Sequence, residues 1–444
     1  MTTASDAARS DRPALIGFWT ATALVIGNTI GIGIFLMPAA LAPFGLNALI
    51  GWVVTAIGCT FLAGVYARLA RDYPNPDGPY GYIRETQGSA IAFVSAWCYW
   101  VSLWITNATL AIGVVGYLRA FAPQLAELAP APLIALALLW LFVAVNLFGV
   151  QSSGPVQVAT TVLKLVPMAI VILLGVWILF TQPSAYRAHV PTTPITTPQI
   201  MAASTTALFA LLGLESASIP ASRVRDPART IPRATLVGTI LTATIYICVS
   251  IIPMLLIPQA ELARSQAPFA DLIARTSGGD FARWIALFVV VSGLGCLNGW
   301  TLLVGELTRT MAANGVLPKV LARDNKRGAP ALALLVTAIL ATIMIGMNYS
   351  KSLVEGFTFL SVIVSAANMP LYYFSATALL LFALRAKKAP PPLLALGLFG
   401  AGYVVFALIG MGREPFLWAL VLAAAGLPIY VLMRWTQRKP TPAT

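Results

Sequence analysis

The sequence predicts an all-α membrane protein that crosses the bilayer about twelve times. The first observation is composition: of 444 residues, 59% are hydrophobic and 10% are charged, whereas a typical soluble domain is about 25% charged. The second is a succession of apolar runs, most of them near the roughly 20 residues that a spanning helix needs. The third is that glycine interrupts two of these runs near their middles. This composition excludes an ordinary soluble enzyme, because too few polar side chains remain to cover a water-facing surface.

We number the apolar runs spans 1 to 12 in chain order. They cover residues 14–43, 47–70, 89–121, 132–150, 154–181, 199–223, 233–257, 281–312, 329–348, 352–384, 391–409 and 415–435. The polar residues before span 1 lack the features of a signal peptide, so we expect span 1 to stay in the membrane. The predicted organisation is a tail over 1–13, a core of spans 1 to 10 over 14–384, spans 11 and 12 over 385–435, and a tail over 436–444.

The net charge of +13 indicates a membrane topology rather than a nucleic-acid partner, because the basic residues lie mostly between apolar runs. With the N-terminus inside, most of the 28 Lys and Arg residues fall in inside segments. The positive-inside rule then predicts a multi-pass protein of the cytoplasmic (inner) membrane with both termini in the cytoplasm. Lys164 lies within span 5 itself.

The two interrupted runs occupy corresponding positions. Span 1 contains GNTIGIG at 27–33, and span 6 contains LLGLES at 211–216. Each opens a block of five spans, which is the pattern of a 5+5 inverted repeat with broken first and sixth helices, as found in secondary transporters. Close helix packing through small residues is the alternative interpretation. A dinucleotide-binding glycine motif is excluded, because no strand precedes the run.

Unwound backbone in the middle of the membrane would offer main-chain groups to a bound molecule. The amides of Ile32 and Gly33 would begin a half-helix, whose positive dipole end favours a carboxylate. The carbonyls of Thr29, Phe209 and Leu212 could accept hydrogen bonds from an ammonium. An α-amino acid carries both groups about 3 Å apart, so paired breaks suit it.

Ionisable residues within apolar runs are functional candidates. Glu215 directly follows the span 6 interruption, where it is either a carboxylate at a helix N-terminus or a gating and proton-sensing group. Lys164 is either a snorkelling lysine or a titrating one. Glu306, nearer the inside end of span 8, is expected to form a structural ion pair.

Aromatic side chains in spans 3 and 8 are candidate partners for a cationic group, because an indole face attracts ammonium or guanidinium. Trp300 and Tyr99 are the binding candidates, whereas Trp97 and Trp100 are expected to pack between helices. Asn107 is either a ligand or an interhelical hydrogen-bonding residue. Neither a catalytic set nor a metal cluster is visible in the sequence, so we expect no enzyme activity, no cofactor and no metal.

Four stretches resemble the amino acid–polyamine–organocation (APC) superfamily of transporters. They are GNTIGIGIFLMP at 27–38, GLESAS at 213–218, DPARTIP at 226–232 and GWTLL at 299–303. Within the superfamily, the stretches are similar to the arginine/agmatine antiporter branch and to other basic amino acid/polyamine antiporters. The resemblance implies a LeuT-like fold of about twelve helices, often dimeric, that exchanges a small amino acid or amine across the lipid bilayer by alternating access.

Particular roles follow from the resemblance alone. It implies that Trp300 stacks on the substrate side chain, that Asn107 hydrogen-bonds the end of that side chain, and that Tyr99 and Glu215 form part of an inner gate. Lys164 would stand where sodium-driven relatives bind sodium. With Glu215, it is therefore a candidate for coupling or proton sensing.

The sequence also departs from the branch. A serine that binds carboxylate in span 1 is Ile32, a tryptophan in span 6 is Phe209, a serine in span 10 is Ile363, and a gating tyrosine is Leu371. These changes make the predicted pocket less polar. A proton-coupled symporter or exchanger of neutral amino acids therefore remains an alternative. A nutrient receptor, a membrane enzyme and a channel are weaker alternatives, because no signalling domain, catalytic set or polar pore lining is visible.

Overall fold

The computed structural model of the chain describes residues 17–73, 78–149, 154–213, 226–385 and 390–438. Within these ranges the regular structure is helical and no strand is present. The helices are α1 (Phe18–Thr29), α2 (Gly33–Leu41), α3 (Asn47–Asp72), α4 (Gly78–Gln87), α5 (Ser89–Phe121), α6 (Leu125–Leu128), α7 (Ala131–Leu147), α8 (Gly154–Thr181), α9 (Ala185–Ala188), α10 (Thr197–Leu208), α11 (Pro227–Leu256), α12 (Gln259–Leu262), α13 (Pro268–Ser277), α14 (Gly279–Ala313), α15 (Ala331–Met347), α16 (Leu353–Arg385), α17 (Pro391–Gly410), α18 (Arg413–Ala424) and α19 (Gly426–Arg438).

Most of the predicted spans are found as apolar helices. By length and composition, eight stretches of helix in the described part of the chain could cross a membrane: Asn47–Asp72, Ser89–Phe121, Leu163–Thr181, Pro232–Leu256, Gly279–Ala313, Leu353–Arg385, Pro391–Gly410 and Arg413–Trp435. Three shorter apolar helices, Gly33–Phe44, Ala131–Leu147 and Ala331–Met347, coincide with spans 1, 4 and 9. Span 6 is described as far as Gly213, and residues 214–225 lie outside the described ranges. The predicted all-α, polytopic architecture is confirmed.

The interruption predicted in span 1 separates α1 from α2. Helix α1 ends at Thr29, and Ile30 is extended, with φ −72° and ψ 102°. Close packing explains the glycine that follows, because a Cβ on Gly31 would lie 3.3 Å from the Sγ of Cys296. The chain becomes helical again at Gly33.

The interruption predicted in span 6 begins at the end of α10. One 3₁₀ turn, Phe209–Leu211, follows the helix, and Leu212 is extended, with ψ 155°. Gly213 then adopts a φ of 98°, a conformation that side-chain-bearing residues rarely tolerate. The first predicted break is therefore present, and the described part of span 6 leaves the helical conformation where the second break is predicted.

The helix packing follows the pairing that a 5+5 repeat predicts. Helix α1 of span 1 packs on α11 of span 7, and α10 of span 6 packs on α3 of span 2. A shift of the chain by five spans converts the first pair into the second. In the same way, the packing of α5 on α16 (spans 3 and 10) corresponds to the packing of α14 on α8 (spans 8 and 5). Helices α7 and α15 (spans 4 and 9) occupy equivalent positions in the two blocks and pack on each other. In such a repeat, each block has an odd number of crossings, so the second block would run in the opposite direction to the first.

Two short helices repeat the same local geometry. Both α4 and α13 have ten residues, and each is followed by a glycine that caps the next long helix. The φ angles of these glycines, Gly88 and Gly278, are 93° and 94°. The equivalence of the two blocks thus extends to a connecting loop.

The long helices form two groups. We call α1, α2, α3, α10 and α11 the bundle, and α5, α7, α8, α14, α15 and α16 the scaffold, because the most extensive contacts lie within each set. Hydrogen bonds also tie the bundle together: the Thr55 hydroxyl donates to the Ser204 carbonyl over 2.9 Å, and the Asn47 amide donates to Gln199 Oε1 over 2.8 Å. Helix α17 packs against α3, α10 and α16, and so contacts both groups.

Candidate functional site

A small cavity lies between the two helix breaks, where the bundle meets the scaffold. It is lined by Thr29, Gly31, Gly33, Thr106, Leu110, Phe209, Ala210, Leu212 and Trp300. Its volume of about 30 Å³ suffices for a water molecule or two. A molecule as large as an amino acid can therefore enter only if the bundle and scaffold move apart.

The N-terminus of α2 provides the first main-chain surface of the site. Gly33 begins the helix and lines the cavity, and the first N–H groups of a helix have no partner within it. A side chain at Gly33 is excluded by close approach, because a Cβ there would lie 2.8 Å from the Phe209 ring. The backbone of α2 and the Phe209 ring are thus adjacent walls of the cavity.

The Ile32 side chain turns away from the cavity. It is fully buried and packs against Gly113 of α5 and Gly293 of α14. A Cβ added to Gly113 would lie 3.3 Å from the Ile32 side chain, and one added to Gly293 would lie 2.9 Å from it. Ile32 therefore anchors the break in the scaffold. Only its main chain remains for the predicted contact with a carboxylate.

The Thr29 carbonyl at the end of α1 already has one protein donor. The hydroxyl of Tyr246 in α11 donates to it over 3.1 Å, and the fully buried Tyr246 ring packs edge-to-face on Trp52. A carbonyl has two lone pairs, so one remains for a ligand. The sequence analysis missed Tyr246, although a tyrosine hydroxyl within an apolar span needs a partner and could have drawn notice.

One main-chain carbonyl at the end of α10 also has a hydrogen-bond donor within the protein. The Leu212 amide donates to the Phe209 carbonyl over 3.4 Å and closes the 3₁₀ turn. The Phe209 ring packs edge-to-face on Phe357 of α16, with centroids 5.8 Å apart. The bundle and scaffold are thus in aromatic contact beside the cavity.

The scaffold wall of the cavity comes from α5 and α14. Trp300 is half-buried and lines it, as do Thr106 and Leu110, which share a face of α5 at i, i+4 spacing. Asn107 is buried next to this face, outside the lining, and its Oδ1 has no hydrogen-bond partner among the described residues. The sequence analysis missed Thr106 and Leu110.

The predicted charged residues lie around the breaks rather than in the cavity lining. Lys164 is buried in α8 and donates from Nζ to the Gly27 carbonyl, in the last turn of α1, over 3.3 Å. Tyr99 is half-buried on α5. Glu215, its predicted gating partner, lies outside the described residues. Lys164 therefore joins the scaffold to the half-helix that ends at the first break.

Several residues predicted to be structural are confirmed as such. The Trp97 indole donates to the Leu422 carbonyl over 2.8 Å, and that of Trp100 donates to Thr308 Oγ1 over 2.7 Å. Glu306 pairs with Arg309 over 2.8 Å. Within the described ranges, no group of three or more His, Cys, Asp or Glu side chains is arranged to hold a metal ion.

Comparison with known proteins identifies the family. Residues 16–433 match the model of the amino acid permease family. The chain is 34% identical to the cadaverine/lysine antiporter of Escherichia coli (strain K12) over 74% of its own length and 73% of that protein. It is 30% identical to a putative arginine/ornithine antiporter of Bacillus subtilis (strain 168), over 81% and 82% of the two chains. It is 29% identical to the putrescine transporter PotE of Escherichia coli (strain K12), over 93% and 94%.

The chain therefore belongs to the amino acid permease family of the APC superfamily. It is a multi-pass transporter of the inner membrane. The resemblance that the four sequence stretches indicated is confirmed at this level.

The hydrogen bond from Tyr246 to Thr29 gives a first test of how the break is held. We expect Tyr246→Phe to lower the free energy of unfolding by about 1 kcal/mol and to speed amide hydrogen exchange at the end of α1. Tyr117→Phe is the matched control, because Tyr117 is another fully buried tyrosine whose hydroxyl donates to a carbonyl, that of Phe35. Tyr117→Phe should lower the free energy of unfolding by at least as much, because the Tyr117 hydroxyl also accepts from the Phe269 amide over 3.3 Å, but it should not change exchange in α1. Equal exchange in α1 for both variants would contradict this role of Tyr246.

Proposed function

We propose that the protein exchanges arginine and agmatine, or a related cationic amino acid and amine, by alternating access. The observation that supports the proposal is the lining of the cavity, which contains Gly33 at the N-terminus of α2, residues of both predicted breaks, and Trp300. The relatives named as cadaverine/lysine and arginine/ornithine antiporters support a cationic substrate.

The site divides between the two ends of such a substrate. The amides of Ile32 and Gly33 bind the carboxylate, aided by the dipole of α2. The carbonyls of Thr29, Phe209 and Leu212 accept from the α-ammonium. All of these are main-chain groups, so this half of the site binds the α-carboxylate and α-ammonium that every α-amino acid has.

The scaffold binds the distal end of the substrate. Trp300 stacks on the guanidinium or ammonium, an attraction of about 2 kcal/mol when water is excluded. Asn107 hydrogen-bonds the same group once the cavity opens, which would satisfy the Oδ1 that has no partner among the described residues. Tyr99 and Glu215 close the site from the cytoplasmic end.

Transport follows from movement of the bundle against the scaffold. The bundle carries both helix breaks, whereas Trp300 and Asn107 belong to the scaffold, so separation of the two groups opens the cavity. With both termini in the cytoplasm, the connections between α2 and α3 and between α15 and α16 face outward. Slow reorientation of the empty carrier makes the process an exchange.

A second candidate is proton-coupled transport of neutral amino acids. The observation in its favour is Lys164, a buried amine that donates to the end of the mobile half-helix α1. The apolar side chains of Ile32, Phe209 and Ile363 also suit a less polar substrate. In this mechanism, Lys164 would couple proton binding to the position of α1, because its amine joins α8 to the Gly27 carbonyl.

Exchange in proteoliposomes tests the leading proposal. We expect labelled arginine to enter vesicles preloaded with arginine or agmatine, and not empty vesicles or vesicles preloaded with a neutral amino acid. Trp300→Leu should raise the KM for arginine about tenfold through loss of the cation–π contact. Trp284→Leu, on the exposed surface of the same helix, is the control and should leave KM unchanged. Absence of arginine uptake by folded protein under every condition would exclude this substrate.

The pH dependence of exchange tests the charged residues. We expect Lys164→Ala to flatten the pH–rate profile if Lys164 is the coupling group, because the substitution removes the amine that donates from α8 to the Gly27 carbonyl. Glu215→Gln should do the same if the gate senses protons. Lys326→Ala, at an exposed cation, is the control. A profile that neither Lys164→Ala nor Glu215→Gln alters would remove both residues from the coupling mechanism.

A further inference from the structure

A second, larger cavity opens at the end of the molecule where α2 ends and α10 and α16 begin. We call it the vestibule, and its volume is about 540 Å³, within the range of small-molecule sites. Its lining consists of Ala39, Ala40, Pro43, Phe44, Ala202, Thr206, Ala263, Val354, Glu355, Thr358, Phe359, Val362, Gly410, Met411 and Pro415. Glu355 is the one ionisable side chain among these lining residues.

The vestibule is close to the central cavity. Thr206 lines the vestibule, and Phe209, three residues further along the chain, lines the central cavity, which is about 5 Å along the helix axis. Phe209 packs edge-to-face on Phe357 of α16, and α16 also provides the carboxylate of the vestibule. The Phe209–Phe357 contact therefore lies next to the central cavity, one helical turn from the vestibule residue Thr206.

One wall of the vestibule already holds a cation. Glu355 and Phe359 are four residues apart on α16, so they share a face of the helix. The Nζ of Lys351 lies 3.7 Å from the centroid of the Phe359 ring, well inside the range of a cation–π contact. The ring face can thus accept an ammonium, and a residue of the chain itself supplies one.

We propose that the vestibule is a second substrate site, in which Glu355 and Phe359 bind the cationic group of an incoming amino acid or amine, and that Lys351 competes with the substrate for this position. This inference rests on the proposed function and on the proposed outward orientation of this end. The vestibule concentrates cationic substrates at the mouth of the pathway, and Lys351 sets how tightly they are held.

A structural role of Glu355 is the competing explanation, and it can be separated by experiment. Glu355 Oε2 accepts from the Ser352 amide over 3.0 Å, and the Glu355 amide donates to Ser352 Oγ over 3.2 Å, which is a capping box at the start of α16. Glutamine also serves in a capping box. Glu355→Gln therefore removes the charge and keeps the cap.

The experiment measures the KM for arginine at each face, using right-side-out and inside-out vesicles. At the vestibule face we expect Lys351→Gln to lower KM about threefold and Glu355→Gln to raise it by a similar factor. Phe359→Leu should also raise KM at this face. The KM at the opposite face should not change, and added salt should shrink the Glu355→Gln effect because the site is open to solvent.

Matched controls and the contrary outcomes are as follows. Glu127→Gln removes an exposed carboxylate from α6, at the same predicted face, and should change no KM. If Glu355→Gln fails to fold, Lys351→Gln and Phe359→Leu still give opposite shifts on this proposal. Arginine exchange with KM unaltered by all three vestibule variants would overturn the second site while leaving the proposed function intact. No arginine exchange by the wild-type protein would instead overturn the proposed function and, with it, the cationic vestibule.

Discussion

The fold depends on how the main-chain groups at two helix breaks are satisfied inside a membrane. An unpaired backbone polar group in hydrocarbon costs several kcal/mol, so a broken helix survives only where other residues supply partners. Here three contacts do so: Tyr246 donates to the Thr29 carbonyl, Lys164 to the Gly27 carbonyl, and the Leu212 amide to the Phe209 carbonyl. The partners of α1 come from α11 and α8, one in the bundle and one in the scaffold. The same break is thus bound to both the bundle and the scaffold, which are the two groups that the proposed mechanism moves against each other.

Steric fit locates the breaks as firmly as hydrogen bonding does. A Cβ on Gly31 would make a tight contact of 3.3 Å with the Sγ of Cys296, and a Cβ on Gly33 would lie 2.8 Å from the Phe209 ring, which would have to move. Ile32, between them, inserts into the scaffold beside the glycines of α5 and α14. The residue that replaces the carboxylate-binding serine of the related branch is therefore a packing residue, and the backbone on either side of it faces the cavity.

The sequence was sufficient for most of the apolar helices and for the places where α1 and α10 end, because these depend on local features: apolar length and glycine. It was insufficient for the cavity lining. The rotation of α5 is decided by its packing against α14 and α16, and this rotation brings Thr106 and Leu110 rather than Asn107 to the surface of the cavity. Similarly, a helix interruption at Ala425 in span 12 was not predicted. There Gly426 accommodates the Trp97 ring, which would lie 2.6 Å from a Cβ, and this contact joins residues far apart in the chain.

The composition of the cavity bears on how one site could serve both an amino acid and an amine. An amine formed by decarboxylation keeps the distal cation and one ammonium but has no carboxylate. A site that held the carboxylate through a dedicated side chain would lose much of its affinity for that amine. With Ile32 in the place of the serine, the carboxylate is left with main-chain donors alone, while the carbonyls of Thr29, Phe209 and Leu212 and the face of Trp300 serve both molecules. The lining that the structure describes contains no carboxylate of its own, so on the proposed mechanism the distal cation is bound there by a ring rather than by an opposite charge. On the proposed mechanism, the affinities for the two substrates are thereby brought closer together, which favours exchange because neither substrate remains bound long enough to block the other.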